Sequence, residues 1–463
     1  MNRTFIHILI AFLFMQITVA QNSDTMPNFI QDSTQLIKEK KSKRKKKEPA
    51  TASEDDYVNT GFFKYDNAVY VDYLKSIQLY RNGFELTDPL ITLGKDEQLK
   101  ISFDDISNEL KTFNFTFIHC NSNWEPSGIF QQDYIGGFTD DFFRNYRYSF
   151  NTTQKFIHHE ALFPNENISI TKSGNYILKV YRDYDPEKIV LSRRFMVVDN
   201  NVLIEPWIKR PSQVEFRNSK QEIDFNIDHT GINIPNPFGD IKVVVLQNGR
   251  WDNAIKGLQP TFIQDQKLVY DYDDKNLFDG GNEFRDFDFR SLRFVSQNVN
   301  FIEYDSSKQF HVHLLNAEKK AFKRYSYKND INGKYFIDVK EGQNPETDAD
   351  YAIVHFYLPA ETPYTEGDVY IFGQLSDWDF SREFKMKYDE KHQCYTSEIL
   401  LKQGFYNYKY IILNDKNKIP DDTYTEGNFF DAENDYTFLM YYRQLGTNYD
   451  QLIGYMKYNT LKN

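Results

Sequence analysis

Short runs in which apolar and polar residues alternate, separated by Asn, Asp and Gly, are the feature of this 463-residue sequence that most restricts its fold. From Tyr57 onward the apolar positions are mostly aromatic or β-branched, as in the runs at 99–103 and 113–117. Because successive side chains of a strand point to opposite faces, each run predicts a strand with one buried face. Helical periodicity is scarce. The sequence therefore predicts an all-β fold of tandem immunoglobulin-like β-sandwich domains.

Polar or charged breaks at 199–201 and 206–211, and a further polar break at 340–349, divide the predicted strands into three blocks. Each block is long enough to form one sandwich with its own core. We expect a first sandwich at 57–200, a second at 201–345, a third at 346–445, and a C-terminal tail at 446–463 that is either a short helix or a frayed end.

The N-terminus has the pattern of an exported protein. A basic start, an apolar run and small residues before Gln21 predict a secretory signal peptide at 1–20. Residues 21–56 are polar and carry a run of basic residues at 38–47, which predicts a disordered basic linker. That run either contacts anionic lipid or an acidic partner, or serves only as a solvated tether.

The rest of the chain is acidic and lacks a stretch long and apolar enough to cross a bilayer as a helix. The formal net charge of the whole chain is −12 even with the basic run included. This balance argues against nucleic-acid binding. We therefore expect an exported, soluble body that does not insert into a membrane.

No stretch of the sequence carries a recognisable catalytic motif or phosphate-binding loop. His311 and His313 would share one face of a strand and could begin a zinc site, but no third ligand follows at a suitable spacing. The alternative is a pair of surface histidines. We predict no enzymatic activity, no catalytic or metal-binding residue and no cofactor.

Two segments are candidates for contacting a partner protein. The first is a glycine-containing loop at 122–147, whose rings either form a contact surface or fold back to cap the sandwich. The second is the segment at 280–293, where charged residues and phenylalanines alternate after a glycine pair, and whose arginines face either a partner or the interior. The candidate contact residues are Trp124, Tyr134, Phe138, Phe142, Phe143, Phe284, Arg285, Phe287 and Arg290.

The third block has a likeness of its own. Residues 369–378, which end in Gly-Gln-Leu-Ser-Asp-Trp, and the Tyr-Lys strand at 404–410 resemble starch- and glycogen-binding modules. The resemblance implies that Trp378 stacks on a sugar ring, although the second tryptophan of those modules is missing from 414–418. An alternative function is therefore that of a carbohydrate-binding protein for glucan-type glycans. The alternative role of Trp378 is that of a packing residue.

The order and spacing of several stretches, at 143–153, 163–165, 173–181, 193–197 and 280–293, resemble the plug proteins of the type IX secretion system. The resemblance implies a non-enzymatic periplasmic protein. It also implies a partner, the large translocon β-barrel of the outer membrane, whose periplasmic opening such proteins bind and seal. The protein would then be a monomer bound in a complex and held at the outer membrane through that partner.

Overall fold

The computed structural model describes residues 63–462, so the predicted signal peptide and basic linker lie outside the described residues. Strands make up 45% of the structure and helices 6%, which confirms the all-β prediction. The strands form three β-sandwiches, each with its own apolar core. The helical segments are single turns at Gln131–Tyr134, Val214–Phe216, Pro237–Asp240, Pro345–Asp348, Gln374–Ser376, Arg382–Phe384 and Thr460–Lys462.

The first sandwich pairs a six-stranded sheet with a four-stranded sheet around a core rich in phenylalanine. The six-stranded sheet contains Ala68–Val69, Leu90–Thr92, Phe113–Cys120, Asp140–Phe142, Gly174–Arg182 and Ile189–Val198. The four-stranded sheet contains Leu74–Arg81, Leu99–Asp105, Asn145–Tyr148 and Ile157–Phe163. A separate two-stranded antiparallel sheet pairs Ile135–Gly137 with Ile168–Ile170. The strands predicted at 99–103 and 113–117 face each other across this core.

The second sandwich is built from two distant parts of the chain. Its five-stranded sheet contains Leu203–Lys209, Lys220–Asp228, Phe262–Gln264, Lys267–Tyr270 and Leu277–Asp279. Its four-stranded sheet contains Ile241–Gln247, Ile255–Lys256, Asp435–Tyr442 and Gln451–Asn459. The last two of these strands come from the C-terminus, and Asp435–Tyr442 pairs antiparallel with Ile241–Gln247 along its whole length.

The third sandwich lies between those two parts in the sequence, so it is inserted into the second. One sheet contains Arg285–Asp288, Tyr335–Ile337, Gly367–Phe372, Gly404–Asn414 and Pro420–Asp421. The other contains Val299–Tyr304, Phe310–Leu314, Tyr351–Pro359, Lys387–Asp389 and Cys394–Lys402. Its core is a cluster of tyrosines and phenylalanines between the two sheets.

This pairing differs from the domain boundaries that the sequence predicts. The boundary at 345 falls inside the third sandwich, since strands on both sides of it share that core. The predicted tail at 446–463 contains the strand Gln451–Asn459, which pairs with Asp435–Tyr442 and is neither a helix nor a frayed end. The physical reason is that side-chain alternation identifies a strand but carries no information about its pairing partner.

The first and second sandwiches pack sheet against sheet. Outward-facing residues of the first, among them Ile177 and Met196, meet Val244, Leu439 and Leu452 of the second in a continuous apolar cluster. The four-stranded sheet of the second sandwich is therefore buried on both faces. Buried faces on both sides favour uninterrupted apolar runs over alternation, and the strand at 435–442 has such a run.

Buried and partly buried ion pairs connect the three sandwiches. Asp104 of the first sandwich lies 2.6 Å from the Lys402 ammonium of the third, and both side chains are almost fully buried. Asp88 of the first sandwich pairs with Lys334 of the third at 3.1 Å and with Lys457 of the second at 3.3 Å. These contacts fix the sandwiches in one arrangement, because breaking a buried pair leaves an uncompensated charge.

Candidate partner-binding surface

The chain changes sheets at one side of the first sandwich. Asp140–Phe142 forms the edge of the six-stranded sheet, and Asn145–Tyr148 forms the edge of the four-stranded sheet. Between them the Phe143 ring turns into the core, 5.0 Å from Phe103. Two edge strands therefore lie side by side, and their outer edges are unpaired within the described residues.

A set of exposed rings, which we term the aromatic edge, accompanies these two strands. Phe138 is 68% exposed, Phe142 38% and Tyr148 62%. Tyr146 and Tyr148 lie on the same face of their strand, with ring centroids 6.2 Å apart. The aromatic edge comprises Phe130, Phe138, Phe142, Tyr146, Tyr148 and Phe150. Phe138 and Phe142 are predicted contact residues, whereas Phe130, Tyr148 and Phe150 are not among the candidates that the sequence yields.

Guanidinium groups flank the aromatic edge. The Arg144 guanidinium lies 4.1 Å from the Phe142 ring centroid and donates two hydrogen bonds to Asp141, at 2.6 and 3.0 Å. Burial alone would raise the pKa of Asp141, but the hydrogen bonds from Arg144 and Asn165 lower it below its usual value. Arg147 on the next strand pairs with Glu160 and with Glu346 of the third sandwich. The edge thus combines exposed rings with arginines that are held in place by ion pairs.

Three other loop candidates are buried rather than exposed. Trp124 packs edge-on against Trp251, with centroids 5.0 Å apart, and Arg194 covers its face at 4.5 Å. Tyr134 donates a hydrogen bond to the Phe117 carbonyl at 3.1 Å. Phe143 lies in the first core. Tyr134 and Phe143 pack on the first core and Trp124 packs between the first and second sandwiches, because a large ring gains more from burial than from solvent exposure.

The phenylalanines of the segment at 280–293 face the interior. Phe287 stacks on Tyr406 with an interplanar angle of 5°, and that ring stacks in turn on Tyr335. Phe284 contacts Trp378 edge-on at 6.0 Å and lies under the Lys409 ammonium. Both phenylalanines are at most 2% exposed, so neither is available to a partner.

The two candidate arginines of that segment make intramolecular pairs. Arg285 donates to Glu426 at 2.8 Å, and the Glu426 side chain is completely buried. Arg290 donates to Asp288 at 2.8 and 3.0 Å and pairs with Asp338 at 3.2 Å, in a more exposed setting. The side chain of Arg285 is therefore committed to the fold, while Arg290 lies nearer to solvent.

Trp378 is half-buried where the second and third sandwiches meet. Phe284 and Phe372 contact its ring edge-on, and the Arg250 guanidinium lies 5.8 Å from its centroid. Gly333 also packs directly on it, since a Cβ there would come within 2.4 Å of the indole. These contacts favour a packing role for Trp378, and the likeness of this sandwich to glucan-binding modules stays a prediction.

The histidines predicted to share a strand face do so, and pairing adds a third. His313 lies opposite His355 of the neighbouring parallel strand, and the rings stack at 4.1 Å. The His311 and His355 rings share a hydrogen bond of 2.9 Å, and His313 bonds the Tyr357 hydroxyl at 2.7 Å. The ring nitrogens are thus engaged with one another and with their neighbours. Burial, followed by the nearby His313 ring, lowers the pKa of His355 to about 4.

Comparisons with known proteins agree with this domain arrangement. A family model described as "Type 9 secretion system plug protein 1st domain" matches residues 74–199, which cover most of the first sandwich. A crystal structure of a hypothetical protein from Parabacteroides merdae ATCC 43184 aligns with a TM-score of 0.83 at 31% sequence identity, over 86% of this chain and 100% of that chain. The chain belongs to the type 9 secretion system plug protein family. No curated protein matches it.

Membership of this family indicates a component of the type IX secretion system. Every residue of the aromatic edge lies within residues 74–199, the part of this chain that matches the plug-protein first domain. Among residues 63–462, no helix has the length and apolar character needed to cross a membrane.

Proposed function

We propose that this protein is a non-enzymatic periplasmic plug that binds the periplasmic opening of the outer-membrane translocon β-barrel and seals it. The observation that carries the proposal is the match of the plug-family first domain to residues 74–199. The first sandwich, and specifically its aromatic edge, is the part of the protein that contacts the barrel.

The composition of the aromatic edge supports a contact role. Aromatic residues and arginine are enriched at protein interfaces, where rings fill pockets of the partner and guanidinium groups pair with its acidic groups. Phe138, Tyr148 and Phe150 are each more than 60% exposed, so burying them against a partner removes substantial apolar area from water. Arg144 already holds one of the exposed rings in a fixed position.

The packing of the three sandwiches supports a sealing role. A body that covers a water-filled pore must resist deformation, and the buried pairs at Asp88 and Asp104 tie the first sandwich to the other two. Sealing between rounds of transport also requires release. A mixed aromatic and charged contact surface suits a reversible interaction better than a purely apolar one.

Co-purification from detergent-solubilised outer membranes tests the proposal. We expect the wild-type protein to bring down one large β-barrel protein, and the double variant Phe138→Ser/Tyr148→Ser to recover at least tenfold less of it. The matched control is Phe262→Ser/Phe322→Ser, which removes two exposed rings from the second and third sandwiches. The control should recover the barrel as the wild type does.

Two results would contradict the proposal. If no barrel accompanies the wild-type protein, the sealing role fails. If both double variants recover the barrel equally, the aromatic edge is not the contact surface. Circular dichroism and thermal unfolding of each variant establish that the folded state is intact.

A further inference from the structure

An acidic cluster lies where the third sandwich joins the second. Glu283 is on the segment that enters the third sandwich, Glu433 is on the segment that leaves it, and Asp330 lies in a loop between them. One carboxylate oxygen from each residue lies within 4.8 Å of one from each of the others. We refer to these three residues as the junction cluster.

The backbone fixes the positions of the junction cluster. The Phe429 amide donates to the Gly281 carbonyl at 2.8 Å, and the Phe429 carbonyl approaches Gly280 so closely that a Cβ there would come within 2.1 Å. The Glu433 amide donates to Oε1 of Glu283 at 3.1 Å. The entering and leaving segments therefore hold the two glutamates together.

Two buried oxygen atoms at the junction cluster have no hydrogen-bond partner. Glu283 is 2% exposed; its Oε1 accepts from Tyr325 and Glu433, but its Oε2 accepts from no described group. Asn332 is 6% exposed; its Nδ2 donates to Glu433 at 3.4 Å, and its Oδ1 is likewise without a partner. A buried oxygen left without a donor costs about 1–3 kcal/mol, so this pair of atoms requires an explanation.

No lysine or arginine side chain within residues 63–462 forms an ion pair with the three carboxylates of the junction cluster. Two nearby lysines are committed elsewhere: Lys320 donates to the backbone carbonyl of Glu283 at 2.9 Å, and Lys409 pairs with Asp422 at 3.2 Å. Burial raises the pKa of both Glu283 and Asp330, and the neighbouring carboxylates add to this effect.

Another carboxylate triad in the same protein provides a contrast. Glu222, Asp224 and Asp271 also converge, but the Lys209 ammonium lies among them at 3.1, 2.6 and 3.2 Å. In that triad the Lys209 ammonium lies where a metal ion would bind. In the junction cluster the carboxylate oxygens also lie within 4.8 Å of one another, but no lysine or arginine of residues 63–462 pairs with them.

We propose that the junction cluster binds one Ca²⁺ ion. The ligands are the carboxylates of Glu283, Asp330 and Glu433. The Asn332 amide, whose Nδ2 faces Glu433 in the ion-free protein, turns over on binding and adds its oxygen. Ca²⁺ takes six to eight oxygen ligands in flexible geometry, including carboxylates and Asn carbonyls, with water completing the set. The bound Ca²⁺ would be the missing partner of the two unpartnered oxygens, and its charge would offset the three negative charges. It also clamps the inserted third sandwich to the second.

Isothermal titration calorimetry on the mature protein, after dialysis against EDTA, tests the proposal directly. We expect CaCl₂ to bind at one site per chain, and Glu283→Gln to weaken that binding at least tenfold because it removes one anionic ligand. Asp271→Asn, which alters the lysine-filled triad, is the matched control and should bind as the wild type does. MgCl₂ should bind more weakly, since Mg²⁺ demands near-octahedral geometry.

Thermal unfolding supplies a second readout. Saturating Ca²⁺ should raise the melting midpoint of the wild type by about 2 °C or more and leave that of Glu283→Gln unchanged. In EDTA the variant should be at least as stable as the wild type, since it removes a charge from an uncompensated cluster. Absence of both stoichiometric binding and a Ca²⁺-dependent shift overturns the proposal, as does unchanged Ca²⁺ affinity in Glu283→Gln.

Discussion

At the scale of single residues, the segment at 280–293 shows how two arginines of similar sequence context acquire different roles. Arg285 reaches Glu426, a carboxylate with no solvent exposure, whereas Arg290 pairs with Asp288 and Asp338 in a partly exposed position. The guanidinium of Arg285 is therefore the counter-charge of a desolvated group. The two arginines differ in role because the acidic partner of Arg285 is completely buried, whereas the acidic partners of Arg290 are partly exposed.

We predict that Arg285→Ala destabilises the protein by about 3–5 kcal/mol, because Glu426 is left buried and unpaired. Arg290→Ala, the matched control on the same segment, should cost about 1 kcal/mol or less, as for partly exposed pairs. Urea denaturation of both variants measures the difference. Equal losses of stability would show that Arg285 does not neutralise a buried charge.

At the scale of elements, the C-terminal strand Gln451–Asn459 joins two cores. Its consecutive side chains point to opposite faces of the sheet, as in any strand. Leu452 packs against the first sandwich, and Ile453 enters the core of the second. The strand therefore completes the second sandwich and the interface with the first at the same time.

Leu452→Ala should lower the stability of the protein by about 2–5 kcal/mol, because the side chain is completely buried in the apolar cluster between the first two sandwiches. Leu461→Ala, which truncates an exposed leucine beyond the strand, should change stability by less than about 0.5 kcal/mol. The midpoints of thermal unfolding distinguish the two. A small effect of Leu452→Ala would mean that the strand is not needed to join the first two sandwiches.

At the scale of the whole molecule, Asp88 is the point where all three sandwiches meet. Its carboxylate belongs to the first, Lys334 to the third and Lys457 to the second. Burial alone would raise the pKa of Asp88, but the two ammonium groups lower it well below its usual value. The carboxylate is therefore charged in the folded protein at every pH at which an ordinary aspartate is charged.

The low pKa of Asp88 predicts a pH dependence of stability. A carboxyl group whose pKa is lowered on folding makes its full contribution to stability when the pH is above its pKa in the unfolded chain, about 3.9. That contribution is lost as the pH falls from there through the lower pKa that the group has in the folded protein. Asp88→Asn should therefore cost on the order of 3 kcal/mol at pH 7, and the difference from wild type should shrink steadily below about pH 4.

Denaturant unfolding of both proteins between pH 3 and pH 7 measures this dependence. Asp96→Asn is a suitable control, because Asp96 is exposed and has no ion pair with the described residues. A constant difference between wild type and Asp88→Asn across the range would refute the role of the charge.

The exposed and buried rings show how far pattern alone could predict the contact surface. Phe138 and Phe143 belong to the same aromatic loop, yet one is 68% exposed and the other lies in a core. Tyr146, Tyr148 and Phe150 alternate regularly, which predicts a shared face but not whether anything covers it. Their exposure was decided by the tertiary packing, which leaves Tyr146, Tyr148 and Phe150 at least 45% exposed.

By itself, the sequence determined that this protein is built from strands, because alternation and β-branched or aromatic composition act over a few residues. It also determined the likeness to plug proteins, which rests on the order of short motifs. Only the tertiary structure decided that the third sandwich is inserted into the second, that His355 joins His311 and His313, and that Glu283 meets Glu433. Each depends on which distant strands pair, and that choice is settled by the collective burial of whole sheets.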